Sequence, residues 1–194
     1  MHKDWTGDFH SVAGCLGASN HSQQEREEND YYATTPQAAE WLLRLESLSD
    51  DIWEPACGEG HLAKVFQAYG KNVKATDLID RNFGRGGVDF LKNTEKFNGD
   101  IVTNPPYKFA VPFIEKAMQT VNEGRKVCMF LKVQFMEGIE HRKLFELFPI
   151  MRVWVSTRRL QCGKNGFFSG SMVAYAWYVW QKGYKGPTEL KWFN

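Results

Sequence analysis

The chain has 194 residues, enough for one domain with a sizeable core and hardly for two. Its composition is 43% hydrophobic, 24% charged and 14% aromatic, which excludes a disordered, collagen-like or coiled-coil chain. No stretch approaches the ~18 uninterrupted apolar residues of a membrane span, and a net charge of +1 favours no class of partner.

The distribution of charge says more. Residues 1–50 carry three Lys/Arg against nine Asp/Glu, a balance of −6, whereas residues 111–194 carry thirteen against six, a balance of +7. A basic back half lets one face approach phosphates. Cys15, Cys57, Cys128 and Cys162 lie far apart, with no C-x-x-C pair and no His at ligand spacing. They read as reduced thiols of a cytoplasmic protein, not as a disulfide frame or a metal site. Val12-Ala13-Gly14-Cys15 imitates a lipoprotein cleavage site, but Asp4, Asp8 and His10 interrupt the apolar run that a signal peptide needs.

Residues 1–30 lack periodicity and read as a polar arm, followed by a single domain over residues 31–194. Pro36 opens a helix that carries Ala38, Trp41, Leu42, Leu45 and Leu48 on one face. Residues 51–54 form a short strand that ends at Pro55 and a glycine turn. Leu62, Val65, Phe66 and Tyr69 follow at helical spacing, and Gly70 stops that helix. Residues 72–77 read as a strand, 88–91 as an edge turn, and 100–103 as a strand running into Asn104-Pro105-Pro106-Tyr107. Residues 109–121 are helical, 127–131 form a wholly apolar buried strand, and 141–148 are helical again. Residues 151–156 and 172–180 are two strands flanking a loop, with no helix between them, which predicts an antiparallel hairpin at one end of the sheet. Such alternation argues an open, mostly parallel α/β sheet, whose ligands sit outside the carboxyl ends of the strands.

Glu54-Pro55-Ala56-Cys57-Gly58-Glu59-Gly60 occupies the first such end. Gly58 and Gly60 let backbone approach a ligand closely, and the following helix start offers N–H groups to an anion. Asp77, at the end of the next strand, is a carboxylate able to accept from both hydroxyls of a ribose. An adenosine-containing cofactor follows, and glycine spacing alone does not choose NAD from S-adenosylmethionine. Glu54 tilts that choice, because a carboxylate there suits a cationic amino group and repels a pyrophosphate.

Asn104-Pro105-Pro106-Tyr107 is the most specific signal. Two prolines hold the turn rigid, so the Asn104 side-chain oxygen and the Pro105 carbonyl form two acceptors for an exocyclic amine on a planar group. Tyr107 can stack on that group.

These two strings together resemble the S-adenosylmethionine-dependent DNA N6-adenine methyltransferases, members of the Asn-Pro-Pro-Tyr amino-methyltransferases. Tyr31-Tyr32-Ala33-Thr34-Thr35-Pro36 is similar to the segment that closes over the methionine end of the cofactor in that family. The resemblance covers residues 31–180. It implies a Rossmann-like class I methyltransferase fold, a mostly parallel twisted sheet with a C-terminal antiparallel hairpin strand. It implies that Asn104, Pro105, Pro106 and Tyr107 are catalytic. Tyr32, Thr34, Thr35, Glu54, Ala56, Cys57, Gly58, Asp77, Leu78, Asp89 and Phe90 would hold S-adenosyl-L-methionine, leaving S-adenosyl-L-homocysteine as product. DNA is the implied partner, with no metal and no membrane. The family's separate target-recognition domain does not fit in this length, so selectivity falls to loops, the polar arm or a second copy in a homodimer. The small size is similar to that of stand-alone bacterial or phage-encoded enzymes acting in the host cytoplasm.

Arg158, Arg159 and Lys164 lie in the hairpin loop, where they can neutralise phosphates, and Phe167 and Phe168 follow as candidates to pack on an extruded base. His61 and His141 read as helix surface residues. Methyltransferases of RNA bases or of a protein glutamine amide share the Asn-Pro-Pro-Tyr turn and are the nearest rivals. A non-catalytic nucleic-acid-binding module explains the basic loop but not Glu54, Asp77 and Asn104 together. An NAD-dependent oxidoreductase lacks an evident hydride-handling residue.

Overall fold

The computed structural model describes residues 32–158, 162–164 and 173–194, with side chains from Thr34 to Arg158 and from Val173 onward. The polar arm, Arg159, Phe167 and Phe168 lie outside the described residues. Strand β1 (Tyr32–Thr34) leads through Thr35 into helix α1 (Pro36–Leu45), where proline sits at the first helical position and needs no N–H partner. Then come β2 (Asp51–Glu54), α2 (His61–Ala68), β3 (Asn72–Ala75), β4 (Asp100–Thr103), α3 (Ala110–Thr120), β5 (Lys126–Lys132) and α4 (Ile139–Leu147). Strands β6 (Arg152–Ser156), β7 (Cys162–Lys164), β8 (Tyr175–Gln181) and β9 (Glu189–Phe193) complete the chain.

Seven strands form one sheet in the order β3-β2-β4-β5-β8-β6-β9, and β1 pairs antiparallel with β7 in a separate ribbon. Only β8 runs against its neighbours in the main sheet. The α/β class and the antiparallel hairpin of the sequence reading are therefore present, with one correction of place. The hairpin does not cap the sheet. After β5 the chain passes through α4 and skips a position, and β8 returns to fill it between β5 and β6. The outer edge belongs to β9, which pairs in parallel with β6 from Arg152↔Glu189 to Ser156↔Phe193. No strand was expected there.

Both faces of the sheet are covered, and the period-two alternation of β5 shows how. Val127, Met129 and Leu131 enter a core with Trp53, Ile101, Ile114 and Trp180. Cys128 and Phe130 enter the opposite core with Leu42, Ile52, Phe66 and Trp177. Helix α3 covers the first face through Phe113, Ile114, Ala117 and Met118, and α1 and α2 cover the second through Ala38, Leu42, Leu62 and Phe66. No helix among the described residues is long and apolar enough to cross a membrane.

Strand β3 stops at Ala75, two residues short of the sequence reading, because Thr76 instead forms a bridge with Arg85. The segment 88–91 is a tight 3-10 turn at Phe90–Lys92, capped by the Asp89 side chain accepting from the Leu91 amide. Chain direction along the sheet reverses between β2 and β4, with β3 on one side of β2 and β4 on the other. The resulting crevice lies at the carboxyl ends of β3, β2, β4 and β5.

Candidate active site

The glycine turn, Asp77 and the Asn-Pro-Pro-Tyr turn fall at that crevice. At the end of β2, Glu54 is only 2% exposed, and its Oε2 has no hydrogen-bond partner among the described residues. Burial pushes its carboxyl well above the usual range; the Ala63 amide opposes this and neighbouring Asp77 adds to it. A buried acceptor without a donor is costly, and this one stands at the carboxyl end of β2.

The glycine turn is stiffly built. Gly58 and Gly60 have φ of 54° and 79°, a left-handed backbone that favours glycine. The Gly60 amide donates to the Cys57 carbonyl at 2.8 Å, so it is used within the turn rather than offered to an anion. Asp77 braces the same turn, its Oδ2 accepting from the Gly58 amide at 2.8 Å and its Oδ1 from the Ile79 amide at 2.9 Å. Each carboxylate oxygen keeps a second lone pair, so both remain able to accept a hydroxyl. Next to it, Leu78 is 58% exposed, an apolar surface at the carboxyl end of β3. Ala56 is half-buried. The Cys57 thiol is pushed up to about 12 by burial and by the nearby Glu54 and Asp77 carboxylates, which makes it inert as a nucleophile.

Asp89 and Phe90 sit differently from one another. Asp89 is partly exposed, with Oδ2 3.2 Å from Lys92 Nζ. Phe90 is 2% exposed, its ring edge-on to Trp53 at 5.2 Å and tilted on Phe113 at 5.2 Å. The Phe90 ring is a core element and offers no face to the crevice.

At the end of β4, Pro105 is buried and the Pro106 carbonyl accepts the Phe109 amide at 2.8 Å, locking the turn into a short 3-10 segment. Asn104 Nδ2 donates to Thr34 Oγ1 at 2.8 Å, which fixes the amide and presents Oδ1 as its acceptor end. Thr34 thus meets the Asn-Pro-Pro-Tyr turn directly. Tyr107 Oη lies 3.1 Å from Tyr175 Oη, and Tyr175 stacks on Phe130 at 5.2 Å.

Strand β7 pairs with β1 in the register Tyr32↔Lys164, Ala33↔Gly163 and Thr34↔Cys162, so the backbone of the hairpin loop lies against the segment leading to Thr35. Arg158 is exposed just beyond β6. Three other cations of this region point elsewhere. Arg142 and Lys143 form exposed pairs with Glu146 and Glu140 at 2.8 Å each, and Arg152, at the amino end of β6, pairs with Glu46 and Glu189.

Sequence reasoning missed one component. A cleft of about 210 Å³ opens beside Tyr107, lined by Leu131, Lys132, Gln134, Phe135 and His141. Lys132 Nζ stands 4.8 Å from the centre of the Tyr107 ring, and the His141 ring stacks on Phe135 at 4.1 Å. Its signal was position: Lys132 ends β5, and the carboxyl ends of neighbouring parallel strands line the crevice. Among the described residues no group of His, Cys, Asp and Glu is placed to hold a metal.

No protein-family model matches the chain, and no curated protein matches it. Solved structures do. A protein of Listeria monocytogenes named as a class I S-adenosylmethionine-dependent methyltransferase matches with a TM-score of 0.62 at 15% identity, over 95% of this chain and 71% of that one. A modification subunit of a type I restriction enzyme from Vibrio vulnificus matches with a TM-score of 0.60 at 11% identity, over 98% of this chain and 53% of its own. A protein of Pyrococcus horikoshii named as an RNA methyltransferase matches with a TM-score of 0.59 at 15% identity, over 89% and 97%. The fold is the Rossmann-like fold of the class I methyltransferases. On this fold the glycine turn after β2, the acid after β3 and the proline turn after β4 surround one crevice.

Proposed function

We propose that this chain transfers a methyl group from S-adenosylmethionine to the N6 amine of adenine in DNA, with the base turned out of the helix. The observation that carries the reading is the Asn104 amide, clamped by Thr34 at the carboxyl end of β4, beside a crevice that also holds the buried Glu54.

The residues present fit the cofactor. Glu54 Oε2 is a buried acceptor awaiting a donor, and an ammonium group supplies both hydrogen bonds and the opposite charge. Asp77, held by two backbone amides, would take the ribose hydroxyls, and Leu78 and the Asp89-Phe90 backbone would flank the adenine. Tyr32 and Thr35 bracket Thr34 on the segment expected to close over the methionine end. The cofactor supplies an electrophilic methyl on a sulfonium.

Asn104 Oδ1 and the Pro105 carbonyl would accept the two amine hydrogens, drawing the nitrogen lone pair out of conjugation with the ring. The lone pair so freed would be aimed at the methyl group that the sulfonium supplies, sulfur taking back the electron pair of the bond it gives up. The amine loses its proton after attack, so no strong base is needed at the outset. Positioning of this kind can supply ~7–11 kcal/mol of the barrier. Extruding the base costs a few kcal/mol, and Arg158, Arg159 and Lys164 would hold phosphates while it happens. Phe167 or Phe168 would pack on the extruded base.

RNA is the second reading. The match to the Pyrococcus protein named as an RNA methyltransferase, 97% of whose chain is covered, favours it. The deciding test is methyl transfer from labelled S-adenosylmethionine to unmethylated duplex DNA, then digestion to nucleosides. Label in N6-methyladenine, absent with Asn104→Ala, supports the DNA reading. Cofactor binding without label in DNA, with label in RNA instead, replaces it.

A further inference from the structure

The cleft beside Tyr107 is not part of the turn that holds the amine, yet it opens from it. Its room, about 210 Å³, is below the ~300–1,000 Å³ of sites for larger ligands, so it fits one ring system and not a whole nucleotide. Apart from Gln134 and Lys132 its walls are apolar or aromatic: Leu131 and Phe135 are buried, and Phe135 is backed by the His141 ring at 4.1 Å. The His141 ring is itself fixed. Nδ1 lies 2.6 Å from the Glu137 carbonyl oxygen, which only accepts, so Nδ1 carries the hydrogen of that bond.

Lys132 brings a cation to this lining, beside the amide of Gln134. It is half-buried, and its ammonium stands over the Tyr107 ring, 4.8 Å from its centre. A cation–π contact of this kind is worth about 0.5–2 kcal/mol and satisfies none of the ammonium's hydrogen-bond donors. A lysine serving phosphates belongs on an exposed rim, as Arg158 does. One held within a flat, aromatic-walled cleft faces the edge of whatever ring enters.

We propose that this cleft seats the ring of the acceptor adenine, with Lys132 donating a hydrogen bond to one ring nitrogen and Phe135, propped by His141, walling the base. The inference rests on the methyl-transfer reading, and it assigns that site's base selectivity to the end of β5. With the exocyclic amine at Asn104, the ring nitrogens flanking it lie toward Tyr107 and the cleft. Lys132 then leaves the Tyr107 face for the base edge as the base enters. An ammonium at that edge favours a ring that presents an unprotonated nitrogen, and it rejects one presenting N–H.

The test uses duplexes with one methylatable adenine, located by mapping label on natural DNA, and replaces that base with 1-deaza-, 3-deaza- or 7-deazaadenine. For wild type, one of the three analogues lowers kcat/KM by roughly 10- to 100-fold, the size of a hydrogen bond to a charged group. Lys132→Met, which keeps the stem packing, loses a similar factor on natural DNA and is indifferent to that same analogue. Cofactor affinity, unchanged in the variant, shows that the fold survives. His141→Ala raises KM for DNA several-fold, and His141→Phe restores it because the stack on Phe135 returns. Indifference of wild type to all three analogues, or a penalty that persists in Lys132→Met, overturns the proposal while leaving methyl transfer to DNA standing. Absence of transfer to natural DNA overturns the parent reading, and this proposal with it.

Discussion

Asn104 Nδ2 donates to Thr34 Oγ1 at 2.8 Å, across 70 positions of the chain, so the amide at the end of β4 is oriented by a strand outside the main sheet. Thr34 is 3% exposed and its strand is paired with β7, which leaves the hydroxyl little freedom to move. Thr34→Val keeps the shape and removes the acceptor. An amide whose orientation is no longer fixed presents its nitrogen as readily as its oxygen to the incoming amine. A single hydrogen bond of about 0.5–1.5 kcal/mol corresponds to roughly a 2- to 10-fold loss in the rate of transfer. Single-turnover measurements should find that loss with cofactor affinity unchanged within about twofold, and Thr34→Ser should recover most of the rate. Equal rates for Thr34→Val and wild type would refute the orienting role.

Glu54 makes the free protein pH-sensitive in a definite direction. Its folded carboxyl is pushed well above 4.5 by burial, so the folded chain keeps a proton that the unfolded chain has released. Stability from this group is therefore present below the unfolded value and falls as pH rises toward the folded one. Glu54→Gln removes that slope, and its melting temperature should hold from pH 5 upward where that of wild type declines. The same variant should bind S-adenosylmethionine about 10- to 100-fold more weakly, because a neutral amide replaces a charged acceptor. Thermal melts across pH with and without cofactor read both effects; parallel curves for the two proteins would remove Glu54 from the cofactor site.

Where sequence reasoning succeeded, a strong local pattern agreed with its tertiary setting. The wholly apolar run from Val127 to Leu131 lies between two cores, as an unbroken apolar strand must. The proline turn and the glycine turn mark strand ends because few residues tolerate those backbones. The failures have the opposite cause. Strand β9 alternates Glu189, Leu190, Lys191 and Trp192, but it is short and its apolar members Leu190 and Trp192 are exposed at an edge, so the pattern marks no buried face. Phe90 carries no local sign that Trp53 and Phe113 enclose its ring. Lys132 and His141 come to line one cleft with Tyr107 only when the ends of β4 and β5 and the start of α4 come together, and no sequence spacing encodes that approach.

Gly60 cannot accept a side chain in this arrangement. Its φ of 79° costs a non-glycine residue about 1–2 kcal/mol, and a Cβ there would drive into the Phe83 ring. Gly60→Ala should lower the melting temperature by roughly 5–10 °C once ring displacement is added to backbone strain. Gly60→Ala combined with Phe83→Ala should recover the steric share and leave the strain. A double variant no more stable than Gly60→Ala would show that Phe83 contributes more to the turn by packing than it obstructs.

Glu46 tests the opposite edge of the sheet, away from the chemistry. Its side chain is 1% exposed and joins the amino ends of β5 and β6, accepting from Lys126 Nζ at 2.7 Å, from Trp154 Nε1 at 2.8 Å and from Arg152. Burial alone would push the carboxyl up, but hydrogen bonds from Lys126, Trp154 and Arg152 outweigh it and hold the carboxyl below its usual range. Its contribution to stability is thus present above about pH 4.5 and is lost as pH falls through the lower folded value. Glu46→Ala removes the carboxylate shared by two cations and an indole N–H, leaving Arg152 with Glu189 and Lys126 with the Ser47 carbonyl; breaking a buried pair typically costs about 3–5 kcal/mol, or roughly 6–20 °C in a domain of this size. Because the cluster touches no residue of the crevice, kcat at low temperature should stay near that of wild type. A melt and a rate on the same sample separate the two edges, and a rate loss matching the stability loss would show that they are coupled.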